Sequence, residues 1–451
     1  MIEIPVISLK LKSKNITLGL FQRLENFKRT KILAYILILI CTVFYIFRGL
    51  QYITRPQLYA EDGTIWIANA YNDGLRSIFM PYDGLAHLFE RIFSFVSINI
   101  LPLKYEPFYF NTMALLIFIL LCYYLFSYRL GLLNNYFQKI YVAISLSLIA
   151  NANEFFFNFS NSVFLLGLIG LFIIIARPST RLIVRLFEKV LFAILCFTLI
   201  FSWIYLLILL LEVVFYKTKR TYYLIWAIIG SFVQFIIYTF LANNRPSVPI
   251  RYLMSKTTLI ELYNQIIIPS VRFARIDINP LAHTRVDSVL ISFFILISLL
   301  ATSIVLVKAN KSTRYFLFFC LAMTLASLKS PLVAIKSPAE IVNFMATAQF
   351  GNRYFIFGII GMFVIWAKFS QMTIRAKFLP YLALIFFFFG LATSITSGSF
   401  YVNKGFTNLS KQYSSGIALV ENPKTNSSVI IPINPSGWFM QLDKNNKNPL
   451  Q

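Results

Sequence analysis

Long apolar runs separated by short polar connections dominate this chain. Runs of about 20 apolar residues are long enough for a helix to cross a bilayer. The pattern predicts eleven spans, several of them so short that they could instead be broken or re-entrant helices. The spans lie near residues 32–48, 108–128, 139–151, 163–176, 187–201, 203–216, 222–241, 288–307, 314–328, 353–367 and 378–395.

The fold predicted from this pattern is an all-α polytopic membrane protein with about eleven transmembrane helices. Residues 1–31 form a basic N-terminal segment, residues 32–395 form the multispanning domain, and residues 396–451 form a C-terminal tail. The long outer loops of the membrane domain are residues 49–107 and 242–287.

Two of these outer regions have internal patterns of their own. In the first outer loop, residues 64–71 favour a helix, Asn72-Asp73-Gly74 is a stop signal, and residues 85–100 are apolar and amphipathic. This order predicts helices that lie in the membrane interface. In the tail, apolar and polar residues alternate over residues 427–433, which predicts a strand in a small appendage.

Charge and composition agree with a membrane protein. The chain is 58% hydrophobic and 13% charged, with 41 Lys and Arg against 17 Asp and Glu. The basic residues concentrate in alternate connections, so they predict a cytoplasmic N-terminus and a C-terminus outside, rather than binding of nucleic acid. Most carboxylates fall in the predicted outer loops, and Glu212 falls within a span, near Lys217.

The four cysteines all lie in apolar segments, which supports neither disulfides nor a cysteine metal site.

Carboxylates cluster in the first outer loop, where Glu61, Asp62, Asp73 and Asp83 occur together in a chain poor in acidic residues. Four short motifs accompany them: Ala60-Glu61-Asp62-Gly63 with Trp66, Pro81-Tyr82-Asp83-Gly84 with His87, Gly351-Asn352-Arg353-Tyr354, and Ile433-Asn434-Pro435-Ser436-Gly437-Trp438. Together with the architecture, these motifs resemble bacterial multispanning glycosyltransferases of the GT-C superfamily. The resemblance is greatest to the O-antigen glucosyltransferases of serotype conversion.

That resemblance implies a hexosyltransferase of the bacterial inner membrane. It would move a sugar such as glucose from a polyprenyl-phosphate donor to a lipid-linked glycan, or O-antigen acceptor of lipopolysaccharide, on the periplasmic face. It implies that Asp62 or Glu61 is the catalytic base. No cofactor is expected, although Glu61, Asp62 and Asp83 could hold Mg²⁺ or Mn²⁺.

Transfer of a sugar from a phosphate donor requires only a base and cationic side chains from the protein. A sugar hydroxyl is a poor nucleophile, so a carboxylate must take its proton as the anomeric carbon gains positive character. A phosphate leaving group needs cations rather than a general acid. The cationic candidates are Arg353 first, then Arg245, Arg251, Lys256, Arg272 and Arg275, and the other candidate substrate-binding residues are Trp66, Tyr82, Asp83, His87, Glu154 and Tyr354.

Structural roles compete with each of these assignments. Asp62 could be the N-cap of the helix that follows it, and Trp66 and Tyr82 could be interfacial anchors. His87 could be a hydrogen-bonded structural residue, and Arg353 could extend to the lipid headgroups. Two other functional classes also fit: an O-antigen polymerase or ligase, and a transporter or flippase for lipid-linked saccharides.

Overall fold

A computed structural model describes residues 31–133, 136–149, 156–217, 220–241, 248–249, 258, 262–267, 269–270, 285–329, 337, 352–372, 408–422 and 428–443. This part of the chain is mostly helical, as the sequence predicts. The α-helices, numbered in chain order, are α1 Lys31–Arg48, α2 Leu50–Thr54, α3 Ala68–Asp73, α4 Leu88–Ile100, α5 Glu106–Phe126, α6 Tyr136–Ser147, α7 Phe159–Ile175, α8 Leu182–Cys196, α9 Phe201–Tyr216, α10 Thr221–Leu241, α11 Arg285–Lys308, α12 Lys311–Lys329, α13 Ile356–Met372 and α14 Ser410–Glu421.

Three helical segments within the described ranges are long and apolar enough to cross a membrane: Lys31–Arg48, Leu103–Phe126 and Thr221–Leu241. Four further apolar helical segments are shorter, namely Phe159–Ile175, Phe201–Tyr216, Ile295–Lys308 and Ile356–Ser370. A helix occupies each predicted span except residues 378–395, which lie outside the described residues. The number of crossings therefore stays a prediction.

Helix α7 forms the centre of the bundle, because every residue from Phe159 to Ile174 is buried. Its N-cap is Asn158, whose side chain accepts a hydrogen bond from the backbone N–H of Asn161. Glycines let α9 approach closely: a Cβ on Gly167 would lie 2.5 Å from the ring of Phe201. The hydroxyl of Tyr205 donates to the carbonyl of Gly167 at 2.7 Å. Small residues thus allow aromatic side chains to fill the space between these helices.

One end of the bundle collects the basic connections, and we call it the basic end. The connections after α5 and α7 meet there, since the backbone N–H of Arg177 donates to the carbonyl of Arg129. The guanidinium of Arg129 also forms two hydrogen bonds with the Glu188 carboxylate, at 2.6 and 3.0 Å. Because both partners are buried and doubly bonded, this ion pair is fully satisfied.

The buried carboxylate of Glu212 also pairs at the basic end. Its partner is Lys311, at 2.7 Å, and not Lys217, the nearby residue in the sequence. The Lys311 ammonium also lies 3.8 Å from the ring centre of Tyr216. Glu212 is therefore a structural residue that joins α9 to the start of α12.

The opposite end carries the first outer loop, and we call it the outer end. Residues Asp62–Ile67 form a π-helix that continues into α3, and the helix ends at Gly74 with φ +56°, as the stop signal predicts. Helix α4 is amphipathic, and its position in the membrane interface stays a prediction. Its polar residues Glu90, Ser94 and Ser97 are buried, while Val96 and Ile100 are exposed. The polar face of α4 thus packs against the protein.

The tail also packs at the outer end. The predicted strand is present as β1 Val429–Ile433, and it pairs antiparallel with β2 Trp438–Leu442. Neither β2 nor helix α14 was predicted. A side chain of the first outer loop bonds the tail backbone on two sides: Asn72 Nδ2 donates to the carbonyl of Gln441, and Asn72 Oδ1 accepts from the N–H of Asp443.

This arrangement predicts that the tail and the basic end lie on opposite sides of the membrane. Exposed Ser436 and exposed Arg185 report on the two ends, and the four native cysteines are buried, so they should add little background. In spheroplasts, a membrane-impermeant maleimide should label Ser436→Cys directly and Arg185→Cys only after permeabilisation. Labelling of both variants without permeabilisation would contradict this topology.

Candidate functional site

Asp62 sits on a loop that the tail holds in place. The backbone N–H of Ala60 donates to the carbonyl of Asn434 at 2.5 Å, and the N–H of Asn434 donates to the carbonyl of Leu58 at 3.3 Å. Ala60 has φ +48°, which turns the chain sharply just before Asp62. The loop conformation therefore depends on residues almost 400 positions later in the chain.

The Asp62 side chain bonds the first turn of helix α7. The side chain is 1% exposed, and its Oδ1 accepts hydrogen bonds from both the backbone N–H and the hydroxyl of Ser160, at 2.9 and 2.6 Å. Ser160 lies in the first turn of α7, where free N–H groups and the helix dipole favour a negative charge. The N-cap position of the π-helix is therefore Glu61 rather than Asp62, and the Asp62 carboxylate supplements the Asn158 cap of α7.

Trp66 connects this contact to a second group of side chains. Its indole N–H donates to the Ser160 hydroxyl at 2.6 Å. Its ring centre lies 5.1 Å from that of His87 and 5.4 Å from that of Tyr82. The guanidinium of Arg91 lies 4.9 Å from the Trp66 ring centre, within the range of a cation–π interaction. At 2% exposure Trp66 is not an interfacial anchor, and a sugar could stack on it only if a neighbour moved.

His87 is held by the connection between α8 and α9. The backbone N–H of Leu199 donates to the carbonyl of Ala86, and the N–H of Leu88 donates to the carbonyl of Phe197. Gln234 of α10 both donates to and accepts from the backbone of Ala86. Elements from the outer loop and from the bundle therefore fix this histidine at the beginning of α4.

Three residues of this group, His87, Glu90 and Arg91, carry unsatisfied polar atoms. His87 Nδ1 and Glu90 Oε1 form a hydrogen bond of 2.9 Å between two buried side chains. Within the part of the chain that the structure describes, His87 Nε2, Glu90 Oε2, and Arg91 Nε and Nη1 are buried without a hydrogen-bond partner. Leaving such groups unpaired is costly, so buried atoms of this kind indicate a place for a polar ligand or water.

Backbone strain is concentrated in the loops around the same group. Among the described residues, five that are not glycine have positive φ, and four of them flank the site: Ala60, Asp83, Phe157 and Leu199. The left-handed conformation costs a side-chain-bearing residue roughly 1 kcal/mol or more. Such strain persists only where surrounding contacts impose it, and it is typical of functional sites.

The structure thus brings together four of the predicted residues: Asp62, Trp66, Tyr82 and His87. Asp83 is exposed at the adjacent turn, and Glu61 immediately precedes the π-helix. Tyr354 is buried in the bundle core, and Arg353 lies in the 3-10 turn Asn352–Phe355, with its side chain outside the described part. The remaining candidates, Glu154, Arg245, Arg251, Lys256, Arg272 and Arg275, lie outside the described residues.

Three residues of the site were not predicted: Glu90, Arg91 and Ser160. The spacing of His87 and Glu90, three positions apart on a helix, is a signal that sequence reasoning could have used. Ser160 had no such signal. Across the described ranges, no group of three or more His, Cys, Asp or Glu is placed to hold a metal ion, and binding of a divalent cation by Glu61, Asp62 and Asp83 stays a prediction.

Comparison of the chain with protein-family models, curated proteins and solved structures finds no match in any of the three. The assignment of a function therefore rests on the geometry of the site and on its chemistry.

The shared hydroxyl of Ser160 provides a test of how this site is held together. Ser160→Ala removes the acceptor of Trp66 Nε1 and one donor to Asp62, so we expect the free energy of unfolding to fall by about 1–3 kcal/mol. Ser162→Ala is the matched control, because its hydroxyl only donates to a carbonyl of its own helix. Its cost should be about 1 kcal/mol or less. Equal losses in denaturant unfolding of the full-length protein would contradict the connecting role.

Proposed function

We propose that this protein is a membrane glycosyltransferase that moves a hexose from a polyprenyl-phosphate donor to a lipid-linked glycan. Transfer would take place at the periplasmic face of a bacterial inner membrane. The observation that carries the proposal is the set of unpaired, buried polar atoms of His87, Glu90 and Arg91, which Trp66 and Ser160 connect to the Asp62 carboxylate at the outer end. A ligand with several hydroxyls and a phosphate would satisfy both acceptor and donor atoms of this set.

In the proposed reaction the acceptor hydroxyl oxygen attacks the anomeric carbon of the donor sugar. A bond forms between this oxygen and that carbon, and the bond from the carbon to the phosphate oxygen breaks. The hydroxyl proton passes to a carboxylate, for which Asp62 is the first candidate and Glu61 the second. Asp62 is pre-oriented for this role by its two hydrogen bonds from Ser160.

Arg91 is the described cation that suits the leaving phosphate. Burial lowers the pKa of its guanidinium to about 10, against the opposing effect of Glu90, so it remains positively charged at neutral pH. Two of its nitrogen atoms are buried without partners, and a phosphate accepts such paired donors. Arg353 keeps its earlier assignment as a second phosphate ligand, which is a prediction from the sequence.

The pair His87 and Glu90 supplies a further proton acceptor. When Nδ1 carries the proton that bonds Glu90, the Nε2 atom is left as an acceptor for a sugar hydroxyl. This pair would orient the acceptor sugar beside Tyr82, whose ring is half-buried. An O-antigen polymerase or ligase would use the same groups, whereas a transporter or flippase would leave its substrate chemically unchanged. An assay of sugar transfer from polyprenyl-phosphate donors by the purified protein separates these classes.

The role of the acidic pair is tested by amide substitutions. Asp62→Asn keeps the oxygen that accepts from Ser160, so the protein should fold and insert normally. Loss of the base should lower sugar transfer by roughly 10² to 10⁴. Glu61→Gln should have a milder effect if Glu61 only positions the acceptor. Parental activity in both single variants and in the double variant would eliminate this pair as the base and favour His87.

The proposed phosphate contact is tested at Arg91. Arg91→Lys keeps the charge but loses the planar fork, so turnover or donor affinity should fall about tenfold or more. Arg91→Gln should be worse. Arg76→Gln is the matched control, because Arg76 is an exposed arginine of the same outer loop and should leave transfer unchanged. If Arg91→Gln, at equal folded protein, transferred sugar at the parental rate, the phosphate assignment would be wrong.

A further inference from the structure

A second polar site lies at the basic end, away from the proposed catalytic group. A cavity of about 120 Å³ opens there between α1, α5, α6 and the start of α8. A single water needs roughly 10–15 Å³ of such space, so the cavity accommodates a group of phosphate size. Its polar lining consists of Lys31, Tyr35, Tyr123, Ser127, Tyr128, Arg129, Lys139, Ser179, Thr180 and Arg181.

Positive charge in this cavity exceeds negative charge. Four cationic side chains line it and no acidic residue does. Arg129 is neutralised by its ion pair with Glu188, and the lining carries three further cationic side chains, Lys31, Lys139 and Arg181. The cavity is therefore suited to an anion.

Lys139 gives independent evidence for that anion. It is 5% exposed, and across the described part of the chain it has no hydrogen bond or ion pair with another side chain. Burial of most of this side chain disfavours its positive charge, which is stabilised when an anion occupies the cavity beside it.

The start of helix α8 adds donors to the same cavity. Ser179, Thr180 and Arg181 directly precede this helix of 15 residues and line the cavity. The N-terminus of a helix favours negative charge, because its first N–H groups are free and its dipole is positive there. Two hydroxyl groups and a guanidinium therefore accompany the positive end of α8.

The surfaces that flank the cavity are apolar and exposed. On α8, Leu182, Ile183 and Leu186 are each more than half exposed, and on α1 the same holds for Ile32 and Leu39. Such surfaces can contact acyl chains, whereas a free phosphate ion would make no contact with them. The neighbourhood thus favours a phosphate that carries hydrocarbon chains.

We propose that this cavity binds the phosphate of an anionic phospholipid headgroup from the leaflet at the basic end, with the lipid chains along α1 and α8. Basic pockets between helices on the cytoplasmic side commonly recognise such headgroups. The bound lipid supplies the counterion of Lys139 and stabilises the packing of the four helices. This inference does not depend on the transferase activity.

The test measures lipid binding and thermal unfolding of the full-length protein in neutral detergent. Dioleoylphosphatidylglycerol, dioleoylphosphatidylcholine and sodium phosphate are added separately to the parental protein and to three variants. Lys139→Met removes the charge of this largely buried side chain at similar length, and Arg181→Gln removes the charge of an exposed side chain that lines the cavity. Arg185→Gln is the matched control, since Arg185 is an exposed arginine one turn later on α8 that does not line the cavity.

We expect phosphatidylglycerol to raise the unfolding temperature of the parental protein more than phosphatidylcholine does, because a ligand of the folded state stabilises it. Lys139→Met and Arg181→Gln should each weaken retention of phosphatidylglycerol about tenfold, and Arg185→Gln should not. Lys139→Met without lipid should be at least as stable as the parental protein, since it lacks the unpaired charge.

Three results would overturn the proposal. Equal stabilisation by both lipids would remove the requirement for net negative charge. Equal losses in Arg181→Gln and Arg185→Gln would indicate attraction to the basic surface in general rather than to the cavity. Stabilisation by sodium phosphate that matches that of phosphatidylglycerol would assign the cavity to a free ion instead of a lipid. Because Arg181 is exposed, its variant keeps the test valid even if Lys139→Met fails to fold.

Discussion

The outer end of this protein depends on one contact, the Asp62 carboxylate on the first turn of α7. Through Ser160 the contact links the first outer loop to the most buried helix of the bundle. A carboxylate buried this deeply is tolerated because it receives two hydrogen bonds and the positive end of a helix dipole. Trp66 shares the same hydroxyl, so the aromatic group around His87 is positioned by the same contact.

Buried acidic side chains have cationic partners at the basic end of the bundle, whereas buried charged side chains carry unpaired atoms at the outer end. At the basic end the acids Glu188 and Glu212 each have a cationic partner, and these pairs join neighbouring helices. At the outer end Glu90 and Arg91 are buried with unpaired atoms. Since an unsatisfied buried charge is destabilising, the difference is hard to explain by stability alone. It is the pattern expected when one end is structural and the other receives a charged, hydroxylated ligand.

Sequence reasoning succeeded where the signal is local. Apolar runs predicted the positions of the helices, and Gly74 and the alternation before Pro435 predicted a helix end and a strand. It failed where partners are distant in the chain. Ser160 lies 98 positions from Asp62, and Lys311 lies 99 positions from Glu212. The packing of the polar face of α4 was not predicted either, because the pattern shows that a helix has two faces but not which face meets the protein.

The sequence suggests that the tail is an appendage, but in the structure the tail packs against the loop that carries Asp62. Ile433 packs so closely on the loop that a Cβ on Gly63 would lie 2.7 Å from its Cδ1 atom. Asn434, the next residue, bonds the backbone on both sides of Tyr59. Because Asp62 directly precedes Gly63, any displacement of the hairpin would move the carboxylate relative to Ser160. The position of the candidate base is therefore set jointly by α7 and by the last strands of the chain.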